Sequence, residues 1–170
     1  IDAGRSALKV VDENWKTYRI PSVHALTNHE FLKNSIIKKP ELITSMPQYK
    51  DDEMWIIGRA AIDRMKSDQL IEVNETKEFL KNSTIYTLSA LTEVAKGNYN
   101  VHLLTQLTSN DKKTYGKGLK KALDGKKEIV RYDSFGDEVA RYSYEIETEV
   151  YLQGLCAYFD LLFDRDGNID

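Results

Sequence analysis

Apolar residues along this chain change their spacing several times, and each change marks a new element. In residues 84–96, Ile85, Leu88, Leu91, Val94 and Ala95 recur at three-to-four spacing, which predicts an amphipathic helix with one apolar stripe. Asn82 or Ser83 is placed to cap its first turn, and Gly97 to close it. Residues 101–107 form a short run of buried-strand type. A second helix follows at 111–123, begun by Asn110 and ended at Asp124-Gly125. Residues 126–132 and 138–150 then read as a hairpin around Phe135-Gly136. In its second arm Val139, Tyr142, Tyr144, Ile146, Thr148 and Val150 point mostly to one side. A last helix at 153–163 buries Leu155, Cys156, Phe159, Leu162 and Phe163.

The first third is less regular. Residues 6–11 and 15–20 read as two short strands, with Asp12-Glu13-Asn14 supplying the turn and Pro21-Ser22 the stop, because proline has no N–H for a ladder. Residues 23–47 show only short mixed segments. A strand at 54–57 ends at Gly58, and a helical stretch at 59–65 follows. The order predicts a mixed α/β domain with flanking helices and a small inserted subdomain, without internal repeats.

Composition narrows the class without naming a chemistry. The 170 residues are 41% hydrophobic, enough for one sizeable core. The formal charge of −3 lacks the basic excess of a dedicated nucleic-acid binder. The apolar runs are too short to cross a bilayer. A single cysteine, Cys156, cannot pair within the chain, which fits a reducing cytoplasm.

Two segments carry candidate chemistry. In Ile1-Asp2-Ala3-Gly4-Arg5-Ser6-Ala7-Leu8-Lys9, an Asp at a strand end meets a tight turn and the next strand returns with a Lys. Gly4 lets the backbone turn sharply, and the amides of residues 4–7 would point at an anion. Lys9 would add a point charge for the β- or γ-phosphate, and Asp2 would hold Mg²⁺ through water. The same residues also suit a plain hairpin with incidental charges. The second segment, Glu149-Val150-Tyr151-Leu152-Gln153-Gly154-Leu155, delivers Gln153 to a helix start. A glutamine there either orients an attacking water or bonds to nearby backbone.

Taken in order, these residues resemble the actin-like ATPase superfamily, and most closely its plasmid-partitioning ParM branch. Asp2-x-Gly4-x-Ser6-x-x-Lys9 is similar to the first phosphate loop, and Gln153-Gly154-Leu155 to the segment with the water-positioning glutamine. Ile20-Pro21-Ser22-Val23 resembles the start of the family's small subdomain, and residues 55–61 the strand that leaves it. The resemblance implies a ribonuclease H-like core over residues 1–22 and 66–170, with the inserted subdomain at 23–65. It also implies ATP or GTP with Mg²⁺ as ligands, and Gly4, Arg5, Ser6, Ala7 and Lys9 as phosphate contacts. Gln153 and Asp2 take the catalytic roles, with Asp2 on the metal. Self-association into filaments and an adaptor protein bound to plasmid or phage DNA are the implied partners, with no direct nucleic-acid or membrane contact. Two features depart from the family pattern. Arg5 stands where a small or aromatic residue is usual, and Thr105-Gln106-Leu107-Thr108 lacks the usual Gly and Pro.

Other signals carry less. Asp164-Arg165-Asp166-Gly167-Asn168 imitates the start of a calcium loop, but Ile169 occupies the position that needs glycine. His24 and His29 lack nearby ligand partners for zinc. Lys112, Lys113, Lys117, Lys120, Lys121, Lys126 and Lys127 form the basic cluster of the chain. It reads as a solvated face or as a contact with a neighbouring filament strand or acidic partner.

Two other functions share these motifs: a kinase or chaperone-like ATPase, and a non-catalytic actin-like binding domain. A kinase needs an Asp positioned as base near the cleft, whereas the helix-start position holds Gln153, which favours water as the nucleophile. A strand should precede Asp2, so residues ahead of Ile1 are expected. The family's second phosphate loop and adenosine pocket lie beyond Asp170. We therefore expect the 170-residue chain alone to bind ATP very weakly. Calorimetry that returns a micromolar or tighter dissociation constant contradicts this.

Overall fold

The computed structural model describes residues 2–3, 7–11, 16–34, 42–49, 53–72 and 78–153. Three strands open the fold: β1 (Asp2–Ala3), β2 (Ala7–Val11) and β3 (Thr17–Pro21), an antiparallel sheet in that order. The strand pair expected from the sequence is present, with Ala7 opposite Pro21 and Val11 opposite Thr17. Leu8 and Val10 are buried while Lys9 between them is exposed, so the pleat sorts core from solvent.

Residues 23–47, without clear period in the sequence, hold β4 (Val23–Thr27), helix α1 (His29–Asn34) and β5 (Leu42–Ser45). Beyond them come β6 (Met54–Ile57), α2 (Arg59–Arg64) and the two-residue β7 (Ile71–Glu72). For β5 the missing signal reflects burial on both faces. Every residue of β5 and β6 is buried, so alternation cannot appear. In β6, Met54 and Ile56 join a small core with Leu32 of α1 and Ala60 and Ala61 of α2. Trp55 and Ile57 belong instead to the main core on the other side.

The remainder is α3 (Phe79–Val94), β8 (Tyr99–Leu107), α4 (Ser109–Leu123), β9 (Gly125–Tyr132) and β10 (Glu138–Leu152). Seven strands form the second sheet in the order β7-β4-β6-β5-β9-β10-β8. Among the described residues β8 and β10 run parallel, and the other pairs of this sheet are antiparallel. The β5–β9 pair, with Ile43 opposite Tyr132 and Ser45 opposite Val130, joins the strands of residues 23–65 to the rest. The Ser45 and Tyr132 hydroxyls bond across the same pair at 2.9 Å.

Helix α3 differs from its expected form in two respects. It begins at Phe79, five residues earlier, so Asn82 and Ser83 lie inside it and are buried rather than capping it; Ala95, not Gly97, is its C-cap. It is also buried on nearly every side: Asn82 through Thr92 are all buried. Ile85, Leu88 and Leu91 form the expected stripe, but β1 and β2, β5 and β9, and α4 all pack around the helix. Small polar residues complete the cylinder. The hydroxyls of Thr84, Ser89 and Thr92 are bonded, whereas those of Ser83 and Thr87 and the Asn82 amide are buried without a hydrogen-bond partner among the described residues. Thr84 donates to the Leu80 carbonyl at 2.7 Å, Thr92 to Ser89 at 2.6 Å, and Ser89 Oγ meets Thr44 Oγ1 of β5 at 2.7 Å. Tyr144, fully buried in β10, donates to the Ala95 carbonyl at 2.5 Å and closes the helix end.

Helix α4 starts two residues before the expected position. Thr108 caps it, its Oγ1 accepting the Asp111 N–H at 3.2 Å. In β10, Tyr144, Ile146 and Thr148 are buried, and the intervening glutamates are exposed. Val139 breaks the expected pattern. The register shifts between Glu138 and Ala140, and this bulge leaves Val139 60% exposed. The final helix expected at 153–163, with Cys156, lies outside the described residues, as do residues 164–168.

His24 and His29 engage aromatic partners instead of each other. His29 lies edge-on to Tyr132, and buried His24 sits 3.2 Å from the Tyr86 hydroxyl. Burial, assisted by Lys81, lowers the His24 pKa to about 4.

Two outcomes are expected. Leu88→Ala should cost about 2–5 kcal/mol by urea denaturation, since the enclosed helix cannot close over the void. A cost below about 1 kcal/mol contradicts that enclosure. Neutral in the folded chain, His24 gains a proton on unfolding once the pH falls below about 6.5. Stability is therefore lost on acidification between about 6.5 and 4, on the order of 3 kcal/mol in total. His24→Gln should flatten the denaturation midpoint against pH over that interval, and an unchanged profile contradicts the assignment.

Candidate functional site

The first hairpin brings two of the expected site residues together. Asp2 stands opposite Lys9, and Ala3 opposite Leu8, in the antiparallel β1–β2 pair. A carboxylate-bearing position and an ammonium-bearing position are thus cross-strand neighbours. Ala7 is buried at the start of β2, and Lys9 is exposed. Gly4, Arg5 and Ser6 lie outside the described residues.

Gln153 is delivered by the second sheet. Parallel pairing runs from Tyr144 opposite Tyr99 to Leu152 opposite Leu107, so Gln153 is the first residue past the ladder. Its N–H donates to the Leu107 carbonyl at 2.7 Å, and its side chain is exposed. β1 packs against both β8 and α3. The strand carrying Asp2 therefore neighbours the strand whose last residue anchors Gln153.

The open edge of β10 past β9 is closed by α4. The Thr148 N–H donates to Asp124 Oδ1 at 2.7 Å, and Lys120 donates to the Thr148 carbonyl while pairing with Asp124 at 3.1 Å. These bonds hold the last residues of β10, and with them the position of Gln153.

One feature had no counterpart in the sequence reading. A groove of about 490 Å³ runs between β3, the ends of β5 and β6, and the end of α3. Arg19, Arg59, Glu93 and Arg131 line it together with apolar Leu42 and Ile57. Arg131 Nη1 lies 2.5 Å from Glu93 Oε1. These four charged residues are scattered over more than a hundred positions, so no local spacing could announce the groove.

Two sheets packed around a buried helix, with a parallel β8–β10 pair and the antiparallel β1–β2 pair beside it, make a mixed α/β fold. The profile described as "Actin like proteins N terminal domain" matches residues 1–155, and the chain belongs to this family. Solved structures share the fold. The apo psk41 ParM protein superposes with a TM-score of 0.68 at 16% identity, over 96% of this chain and 51% of its own. An archaeal actin homologue in complex with ADP gives 0.68 at 17% identity, over 94% and 45%. The Alp12 filament structure gives 0.62 at 16%, over 93% and 47%. The chain thus spans about half the length of these relatives. No curated protein sequence matches it. Among the described residues no helix is long and apolar enough to cross a membrane.

Proposed function

We propose that this chain is the nucleotide-binding first half of an ATP-dependent, filament-forming actin-like protein that segregates plasmid or phage DNA through an adaptor. The observation that carries the reading is the register of Asp2 against Lys9 on the first hairpin of a chain belonging to the actin-like N-terminal family. Among solved relatives, one is described as an ADP complex and another as a filament.

In this reading the polyphosphate lies over the turn between β1 and β2. The amides of Gly4, Arg5, Ser6 and Ala7 face it, and Lys9 adds a cation at the β- or γ-phosphate. Asp2 would hold Mg²⁺, which would neutralise charge that develops on the phosphates. Gln153 stands at the end of β10 as a neutral amide able to orient water, the role that suits hydrolysis rather than transfer to a substrate hydroxyl. Nucleotide held between two such halves fixes their relative orientation and favours head-to-tail contacts. Contacts of that kind do not close and so grow into a filament. GTP fits the same phosphate contacts as ATP. Residues 23–65 form the small subdomain, and DNA is reached through the adaptor rather than directly.

In the full-length protein, Gln153→Ala should slow phosphate release on the order of a hundredfold with nucleotide still bound. Lys9→Ala should weaken nucleotide binding about tenfold or more. A malachite-green assay and calorimetry measure the two. Wild-type turnover in Gln153→Ala contradicts the hydrolytic role.

A further inference from the structure

The charged residues of α4 and β10 form two columns on opposite sides of one sheet. Helix α4 turns Gly116, Leu119 and Leu123 inward and packs on β8 and β10. Lys113, Lys117 and Lys121, four residues apart, are exposed, and among the described residues no ion pair engages them. Like charges at that spacing repel and oppose the helix, so the column is costly in an isolated chain. On β10, Ile146 and Thr148 are buried, which sends Glu145, Glu147 and Glu149 to the other face, all exposed. On β8, Asn100, His102 and Leu104 stand opposite Glu145, Glu147 and Glu149. Glu145 is registered against Lys126, and Glu149 lies 3.2 Å from His102 Nε2 and accepts from the Tyr151 hydroxyl. The Tyr151 bond first, and His102 second, hold the Glu149 carboxyl below its usual range, so it stays ionised. Glu147 has no ion-pair partner among the described residues.

The two columns also match in pitch. Four helical residues advance about 6 Å and two strand residues about 6.8 Å, a mismatch of roughly 0.8 Å per step that lysine side chains absorb. We infer that the Lys113, Lys117 and Lys121 column of one copy of this chain docks on the Glu145, Glu147 and Glu149 column of another. This inference rests on the polymer proposed above and assigns one of its contacts. Because the columns lie on opposite faces, a copy that uses one still presents the other, and the contact propagates without closing. The attraction is local, since the chain as a whole carries −3, and it weakens with added salt.

Charge exchange in the full-length protein tests the contact by pelleting with ATP. Lys117→Glu and Glu147→Lys should each raise the critical concentration about tenfold or more. An equimolar mixture of the two, or both changes in one chain, should return it close to the wild-type value. Where reversal unfolds the chain, Lys117→Gln and Glu147→Gln replace it, and the double change should then cost no more than either single one. Single variants that assemble like the wild type, reversals without mutual rescue in folded protein, or strictly additive neutral changes overturn the contact and leave the polymer reading intact. A wild-type protein that does not pellet overturns both.

Discussion

Burial of α3 on almost every side is the constraint on which the rest of the molecule depends. A single helix serves as core for the three-stranded sheet on one side and for β5, β9 and α4 on the other. Leu8 and Val10 reach it from β2, Ile129 from β9 and Tyr144 from β10, so the two sheets are held to one another through its surface. That packing sets β1, which carries Asp2, beside β8, whose last residue anchors Gln153. Neither sheet alone would place them on neighbouring strands.

Enclosing a helix explains its composition. A half-exposed helix places charges on its outer face, whereas α3 has none between Asn82 and Thr92 and uses Ser, Thr and Ala instead. Their small size lets strands approach, and the hydroxyls of Thr84, Ser89 and Thr92 are bonded to the helix backbone or to β5. The ion pair between Arg131 of β9 and Glu93 follows immediately after the enclosed stretch, where the helix meets the groove. Charge thus returns one residue after full burial ends.

Much of this was legible in the sequence, and the exceptions have physical causes. β6 was read with its bounds as found, and the hairpin of β9 and β10 was read because Ile146 and Thr148 alternate with glutamates that face water. β5 escaped notice because a strand buried on both faces shows no period. The start of α3 was misplaced because Asn82 and Ser83 resemble caps locally, while their burial is decided by strands far away in sequence. Among the site residues, the pairing of Asp2 with Lys9 is a local feature and readable as such. The adjacency of β1 to β8, which brings Gln153 into the neighbourhood, is long-range and was supplied by the family resemblance rather than by any spacing.

The account reduces to one geometric requirement, that the hairpin bearing Asp2 and Lys9 and the amide of Gln153 face a common polyphosphate. A structure of the full-length protein with a non-hydrolysable ATP analogue and Mg²⁺ tests it directly. The account predicts phosphates seated over the β1–β2 turn, Lys9 Nζ in contact with them, and the Gln153 amide directed at the γ-phosphate. Nucleotide bound away from that turn, or Gln153 directed away from the phosphates, contradicts it.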